Sequence, residues 1–288
     1  INIVLKKQEG LFGNVSYGSH VTNYDKNWVI NNGQNASVNV VDGGTAQVGL
    51  NYGLKWGKTG FVNITGEYVQ RGETNRSGTY SGAVFPAVNG QNIDNQLLQE
   101  RGLTRDDFDM RIGNSRVNGG GIVLNAEKGI NDRLTWYAFG GYNNKKGNAA
   151  GFYRYPSGVP AAVRNNVFQV YPNGFLPEIN SNVTDLSFAT GLRGKLGEWQ
   201  FDLSNTFGQN IFDFSVTNSV NYTQALASAN FQTSFDAGGL QFTQNTINAD
   251  LSRKYEVLSG LNISFGAEQR WEQFGIRAGE EASYRNYN

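Results

Sequence analysis

The chain has 288 residues, enough for one large domain or two ordinary ones, and its 24 Lys and Arg residues balance 24 Asp and Glu residues. This balance provides no net field for nucleic acid, and the absence of cysteine excludes disulfides and thiolate metal sites. No apolar run reaches the roughly 18 residues of a membrane-spanning helix, which leaves membrane-spanning strands open.

A two-residue alternation of apolar and polar side chains recurs along the chain and predicts β-strands. Residues 45–56 show it most clearly, with an apolar side chain at every second position from Ala46 to Trp56. A strand that crosses a bilayer at a tilt needs about 9–11 residues, which this segment supplies. We predict about nine strands, at 11–22, 45–56, 60–71, 116–128, 133–146, 183–196, 199–212, 243–255 and 260–277.

Short and long connections alternate between the predicted strands. Successive antiparallel strands deliver their connections to opposite ends of a sheet, so all the short ones share one end. Outer-membrane barrels have this asymmetry, with short periplasmic turns and long extracellular loops. All five prolines lie in the long connections, as expected if the strands are fully paired. The short connections are 57–59, 130–132, 197–198 and 256–259, and the long ones are 23–44, 72–115, 147–182 and 213–242.

The polar positions of the strands carry most of the charged residues, and the apolar positions carry many aromatic ones. A charge facing lipid costs about 2–4 kcal/mol at the bilayer midplane, so the polar positions are expected to face the inside of a barrel. Trp56, Trp136 and Trp199 lie at apolar positions close to short turns, and together they predict an interfacial aromatic girdle. Ordinary core packing is the alternative for each of them.

Enzymatic chemistry has little support, and we predict neither catalytic residues nor a cofactor nor a metal site. His20 is the only histidine and has no nucleophile motif beside it, and no phosphate-binding glycine motif follows a strand. Asp106, Asp107 and Asp109 offer oxygen ligands for Ca²⁺, but a short helix with Thr104 as N-cap explains them better.

The long loops supply the candidates for ligand contact. Aromatic rings stack on sugars or flat chelates, and arginine pairs with carboxylate or catecholate groups. Packing of one loop against another is the alternative for each residue. The candidates are Tyr153, Arg154, Tyr155 and Tyr171 in the third long loop, and Arg76 and Tyr80 in the second.

The opening segment Ile1–Lys7, followed at once by Gly10–Gly13, resembles the final plug strand and first barrel strand of TonB-dependent outer-membrane receptors. Gly60–Tyr68 and Phe265–Arg270 are similar to segments of the Bacteroidetes type. The resemblance implies an all-β, antiparallel transmembrane β-barrel of about 22 strands, closed by an N-terminal plug. Nine strands would form only part of that barrel.

The resemblance divides the chain into the end of a plug at 1–10 and the N-terminal part of a barrel at 11–288. Because the chain begins at Ile1 and its only methionine is Met110, we expect it to be part of a longer protein. The family implies a location in the bacterial outer membrane and energised import of a siderophore, vitamin or oligosaccharide.

The partners implied are outer-membrane lipid and the TonB complex, the latter through a plug region that this sequence does not contain. A surface lipoprotein or envelope-complex partner is a further expectation, and nucleic acid is not expected. Two other readings stay open: a scaffolding outer-membrane barrel in a larger envelope complex, and a soluble β-sandwich adhesin.

Overall fold

The computed structural model describes residues 5–28, 36–257 and 259–287. Nine strands form one antiparallel sheet in which each strand pairs with its neighbours in sequence, from β1 to β9. β1 and β9 lie at the two edges, and neither pairs with a further strand within the described ranges. The strands are β1 Gly10–Asp25, β2 Ser37–Lys55, β3 Gly60–Arg71, β4 Arg116–Asn131, β5 Leu134–Ala150, β6 Glu178–Leu196, β7 Trp199–Thr217, β8 Phe235–Tyr255 and β9 Leu261–Arg277.

The nine predicted antiparallel strands are confirmed, but several are longer at their long-loop ends. β2 begins at Ser37 rather than at 45, β6 at Glu178 rather than at 183, and β8 at Phe235 rather than at 243. Glycines and polar residues break the alternation in these extensions, and the β1–β2 pairing shifts register between Gly18 and His20. Backbone hydrogen bonds to the adjacent strand therefore extend each of these strands beyond the part that the side-chain alternation predicts.

The long loops contain short helices. α1 Asp94–Arg101 lies between β3 and β4, α2 Ala161–Val170 between β5 and β6, and α3 Tyr222–Ala227 between β7 and β8. A further short helix, α4 Glu281–Tyr284, follows β9. Within residues 5–28, 36–257 and 259–287, every helix is too short and too polar to span a bilayer.

The sheet has one apolar and one polar face, because residues paired directly across antiparallel strands share a face. Ile64, Leu124 and Phe188 belong to one row of the apolar face, and Thr65, Val123 and Ser187 belong to the adjacent row of the polar face. In β6 the two faces separate Leu186 and Phe188 from Asp185 and Ser187, as predicted. The first row runs through Leu11, Tyr52, Ile64, Leu124, Gly140, Phe188, Phe207, Asn245 and Trp271.

The fully buried large apolar side chains of the described chain lie in the loops rather than in the sheet. The loop between β3 and β4 contributes a first loop cluster, made of Val84, Phe85, Leu98 and Phe108. The loops on either side of β6 and β7 form a second loop cluster, made of Val159, Val163, Val167, Phe175 and Ala225. Hydrophobic cores therefore stabilise the long-loop end of the molecule, and the sheet carries its apolar side chains on its surface.

Gly119, Gly120 and Gly121 form a regular part of β4 with no β-bulge. All three pair regularly with both β3 and β5. A Cβ at Gly119 would lie 2.3 Å from the Asn144 carbonyl oxygen, and one at Gly121 would lie 2.7 Å from that of Tyr142. Gly119 and Gly121 therefore permit close approach of the β5 backbone.

Candidate functional site

Residues 5–9, here called the N-terminal segment, cross the polar face of β2, β3 and β4. The Asn63 side-chain amide donates to the Gln8 carbonyl oxygen at 2.8 Å, and that of Asn125 donates to the Lys6 carbonyl oxygen at 2.9 Å. Asn63 and Asn125 lie directly opposite each other in the register of β3 and β4. Two neighbouring strands thus present amides at the correct spacing to bind one extended backbone.

Gly53 on β2 lies opposite Asn63 and permits the closest approach of the N-terminal segment. A Cβ at this position would be only 1.8 Å from the Gln8 carbonyl oxygen. No side chain could be accommodated there without moving the segment. Glycine is therefore required by space rather than by backbone conformation.

Ion pairs attach the N-terminal segment at both sides of these amides. Lys7 pairs with Glu127 at 3.3 Å, and Glu127 also accepts from Arg193 on β6 at 2.7 Å. At the other side Lys55 pairs with Glu9 at 3.2 Å. Partly exposed pairs of this kind contribute little each, so the backbone bonds and the close fit at Gly53 carry most of the attachment.

The predicted strand at the start of the chain is not present in the part that the structure describes. Residues 1–4 of the segment Ile1–Lys7 lie outside the described residues, and residues 5–9 are in no strand. Their hydrogen bonds go to side chains of the sheet rather than to a strand partner. The resemblance to a plug strand implied strand pairing, but side-chain amides serve as the hydrogen-bond partners of Lys6 and Gln8.

The polar face of the later strands carries exposed charges. Arg270 pairs with Glu268 on β9 at 2.7 Å, and Asp185 on β6 accepts a hydrogen bond from Asn210 at 2.6 Å. Asp185, Glu268 and Arg270 are all exposed. This half of the polar face can therefore form further ion pairs and hydrogen bonds with a polar partner.

Three of the six predicted ligand residues come together where the second and third long loops meet. The rings of Tyr80 and Tyr155 stack with centroids 3.7 Å apart, and Tyr153 stacks on Tyr155 at 5.0 Å. All three pack against the first loop cluster. Burial raises the pKa of the Tyr153 and Tyr155 hydroxyls, so both stay neutral. The geometry favours the loop-packing alternative for these tyrosines.

The other three candidates lie apart from that stack. Arg154 pairs its backbone with Phe175, whose ring lies 4.6 Å from that of Tyr171 in the second loop cluster. Arg76 forms a two-pronged ion pair with Asp42, with nitrogen–oxygen distances of 2.5 and 2.8 Å. The six residues therefore do not line one site, and among them Arg154 is the exposed one.

Asp94 at the start of α1 is a central residue of the loops that the sequence pattern did not reveal. It is 1% exposed and accepts from the backbone N–H groups of Val84 at 3.0 Å and Phe85 at 2.9 Å. Arg105 donates to the same carboxylate at 3.2 Å. Burial opposes its ionisation, but these hydrogen bonds and Arg105 hold the pKa of Asp94 below its usual value.

The aspartates of the second long loop have structural partners. Residues Arg105–Phe108 form a 3₁₀-helix with Thr104 as N-cap, and Thr104 and Asp107 form the reciprocal bonds of a capping box, as predicted. Asp106 and Asp109 pair with Lys26 at 2.7 and 2.8 Å. In the described ranges, no group of three or more histidine and acidic side chains could hold a metal ion.

The three tryptophans lie near the short turns, as predicted, in two separate contacts. The rings of Trp56 and Trp136 meet edge to face with centroids 5.8 Å apart. Trp199 instead contacts Phe265 of β9, also at 5.8 Å. These four aromatic side chains lie on the apolar face near the short turns, and the interfacial girdle stays a prediction.

Comparison with known protein families finds no family that matches this chain, and comparison with curated proteins finds no match either. The chemistry of the described residues is therefore the basis for a function. The amides and ion pairs on the polar face are suited to reversible binding of a polar chain segment. The exposed side chains of the apolar face are suited to an apolar surrounding.

Proposed function

We propose that this chain forms part of the wall of a TonB-dependent outer-membrane receptor. Its nine strands would belong to an antiparallel transmembrane β-barrel, with the short turns in the periplasm and the long loops outside the cell. The whole protein would import a scarce nutrient, such as a siderophore, vitamin or oligosaccharide, without chemical change.

The single observation that carries this proposal is the distribution of charge between the two faces. In β3 to β9, all of which are described, the apolar face has charged side chains only within five residues of a strand end. The polar face carries charges throughout, among them Asp185, Asp202 and Glu268. A bilayer imposes this pattern, because a charge at its midplane costs about 2–4 kcal/mol.

The exposure of large apolar side chains on the apolar face supports the same placement. Val15 is 80% exposed, Phe265 62% and Leu50 56%, and they belong to strands spread across the whole sheet. Soluble monomers rarely expose contiguous apolar patches larger than a few hundred Å². Lipid chains would cover this face without requiring a second protein layer.

The position of the N-terminal segment favours a receptor over other kinds of outer-membrane barrel. It lies on the polar face, where the end of a plug would lie, and Asn63, Asn125 and Gly53 hold it by backbone contacts. Its ion pairs through Glu127 and Glu9 are solvated and exchangeable. Attachment of this kind is consistent with a plug that a TonB partner pulls on during import.

Membrane fractionation tests the barrel, and uptake tests the receptor. In native cells, we expect the protein in the outer-membrane fraction, insoluble in sarkosyl and with a gel mobility that changes on heating. Growth on a limiting nutrient should fail to the same extent when either this protein or TonB is removed. A protein that stays soluble without detergent would contradict the barrel, whereas uptake that survives loss of TonB would contradict the receptor.

A scaffolding outer-membrane barrel is the second candidate, and the packing of the loops is the observation that favours it. Tyr80, Tyr153 and Tyr155 pack within the loops. Two hydrophobic clusters order the long-loop end, as a surface that binds another protein requires. A surface lipoprotein or an envelope complex would then be the partner. Co-purification of a stoichiometric envelope protein, with nutrient uptake unchanged on deletion, would favour this role. The third reading, a soluble β-sandwich adhesin, predicts full solubility without detergent.

A further inference from the structure

A polar cleft of about 560 Å³ opens on the apolar face of the sheet at its long-loop end. One row of directly paired residues crosses it from β4 to β9, so the cleft lies on the same face as Leu124 and Phe188. It is therefore separate from the polar face that holds the N-terminal segment. The row consists of Asn118, Lys146, Asn182, Asp213, Gly239 and Arg277.

Four asparagines line the cleft, namely Asn118, Asn148, Asn180 and Asn182, and bonds to neighbouring asparagines hold the last three of them. The Asn148 amide donates to Asn180 at 2.7 Å, and the Asn144 amide donates to Asn182 at 2.9 Å. Each of these side chains has further donor or acceptor capacity. Sugar hydroxyl groups, which both donate and accept, match such a lining better than phosphate oxygens, which only accept.

Four of the five charged groups that line the cleft are already paired, and the partner of Arg116 is Glu73 at 2.9 Å. Arg277 reaches across Gly239 to Asp213 at 2.8 Å and also contacts Asp236 at 3.0 Å. A Cβ at Gly239 would lie 2.6 Å from the Asp213 carboxylate, so glycine leaves the space for this pair. Lys146 is exposed and has no ion-pair partner in the described part of the chain. It is thus available to an anionic group of a ligand.

Large apolar side chains of the apolar face begin a short distance from the cleft along the strands. Ile122, Tyr142 and Leu186 form a row only four residues from the row of Lys146, about 13 Å along the strands. A ligand with apolar chains and a polar head could cover both rows at once. A free oligosaccharide would use only the cleft.

We propose that the cleft binds the sugar headgroup of an anionic glycolipid of the outer leaflet, with its acyl chains on the apolar face below. The asparagines would bind the sugar hydroxyls, and Lys146 would pair with a phosphate or carboxylate of the headgroup. This inference depends on the proposed function, because it requires the apolar face to meet lipid.

The test measures binding of the detergent-purified protein to phosphatidylethanolamine vesicles with and without lipopolysaccharide. The variants Lys146→Gln and Asn182→Ala each remove one ligand contact. Asn205→Ala is the matched control, because Asn205 pairs with Asn245 at 2.9 Å on the same face but outside the cleft. We expect each cleft variant to lose about ten-fold in binding to lipopolysaccharide vesicles, and the control to lose none. Heat-modifiable mobility confirms that each variant is folded.

Equal binding to the two kinds of vesicle would overturn the proposal, and so would an equal loss in the Asn205→Ala control. Competition by deacylated lipopolysaccharide as strong as that by the intact lipid would assign the cleft to a soluble glycan and would overturn it as well. A protein that enters membranes but shows no lipopolysaccharide preference contradicts this inference alone. A protein that remains soluble contradicts the proposed function itself.

Discussion

The long loops and the sheet place their apolar side chains in opposite environments. Phe108 in the first loop cluster is 1% exposed, whereas Phe188 in the centre of β6 is 42% exposed. The loops therefore have protein cores of their own, whereas the described residues leave many large side chains of the apolar face exposed. This difference is the one expected if the loops fold in water and the apolar face meets lipid, as the proposed function requires.

Introducing a charge on the apolar face of the sheet should give the largest effect. Phe188→Arg places a guanidinium on the apolar face, and Ser187→Arg places the same group on the polar face of the same strand. We expect Phe188→Arg to lower the free energy of unfolding in lipid vesicles by about 2–4 kcal/mol, and Ser187→Arg to change it little. Urea titration of vesicle-inserted protein measures both. Equal losses would mean that the two faces meet the same medium.

Removal of the buried charge at Asp94 tests the loop cores in the same way. Asp94→Asn should destabilise the first loop cluster by about 2 kcal/mol, because Arg105 loses its ion-pair partner and two backbone donors lose a charged acceptor. Glu100→Gln on the exposed side of α1 is the control. Hydrogen exchange of residues 84–108 should rise in the first variant and not in the second, with exchange in β6 unchanged in both.

The same carboxylate should make the loop core sensitive to acid. The folded-state pKa of Asp94 is below its usual value, so its stabilisation is complete above the unfolded-state pKa and is lost as pH falls through the folded-state pKa. Exchange in the first loop cluster should thus accelerate below about pH 4 in the native protein. This acceleration should be weaker in Asp94→Asn, and an identical pH profile would remove Asp94 from the explanation.

Adding one methyl group at Gly53 should release the N-terminal segment from the polar face of the sheet. Gly53→Ala places a Cβ against the Gln8 carbonyl, whereas in Gly49→Ala the Cβ meets only the movable side chain of Asn14. Losing about 1–1.5 kcal/mol of attachment should make tryptic cleavage after Lys7 about ten-fold faster in Gly53→Ala. Similar rates in the two variants would show that the segment is not held at Gly53.

The smallest effect on stability is expected at Arg154. Its side chain is exposed, so Arg154→Ala should change the free energy of unfolding by less than about 0.5 kcal/mol while lowering nutrient uptake. Arg76→Ala should lower the free energy of unfolding, because it breaks the ion pair with Asp42. It should leave nutrient uptake unchanged, because it removes no exposed group. Uptake that is unchanged in Arg154→Ala would leave that residue without a role in ligand contact.

The sequence predicted the structure well wherever side chains follow the two-residue alternation of a β-strand. The strand order, the alternation in β6 and the turn at 197–198 follow from the alternation of apolar and polar side chains and the short interruptions between its segments. The loops follow no period, so the buried position of Asp94 and the stacking of Tyr80 on Tyr155 could not be predicted. Both depend on contacts between residues far apart in the chain, for which local pattern gives no signal.

Single-cysteine labelling along β6 tests most directly whether the apolar face meets lipid. The chain contains no cysteine, so spin labels can be placed one at a time from Val183 to Arg193. In native-like bilayers, we predict a two-residue alternation, with even positions such as Leu186 and Phe188 accessible to oxygen and odd positions accessible to a water-soluble nickel reagent. Equal access of the nickel reagent to even and odd positions would contradict the proposed membrane wall.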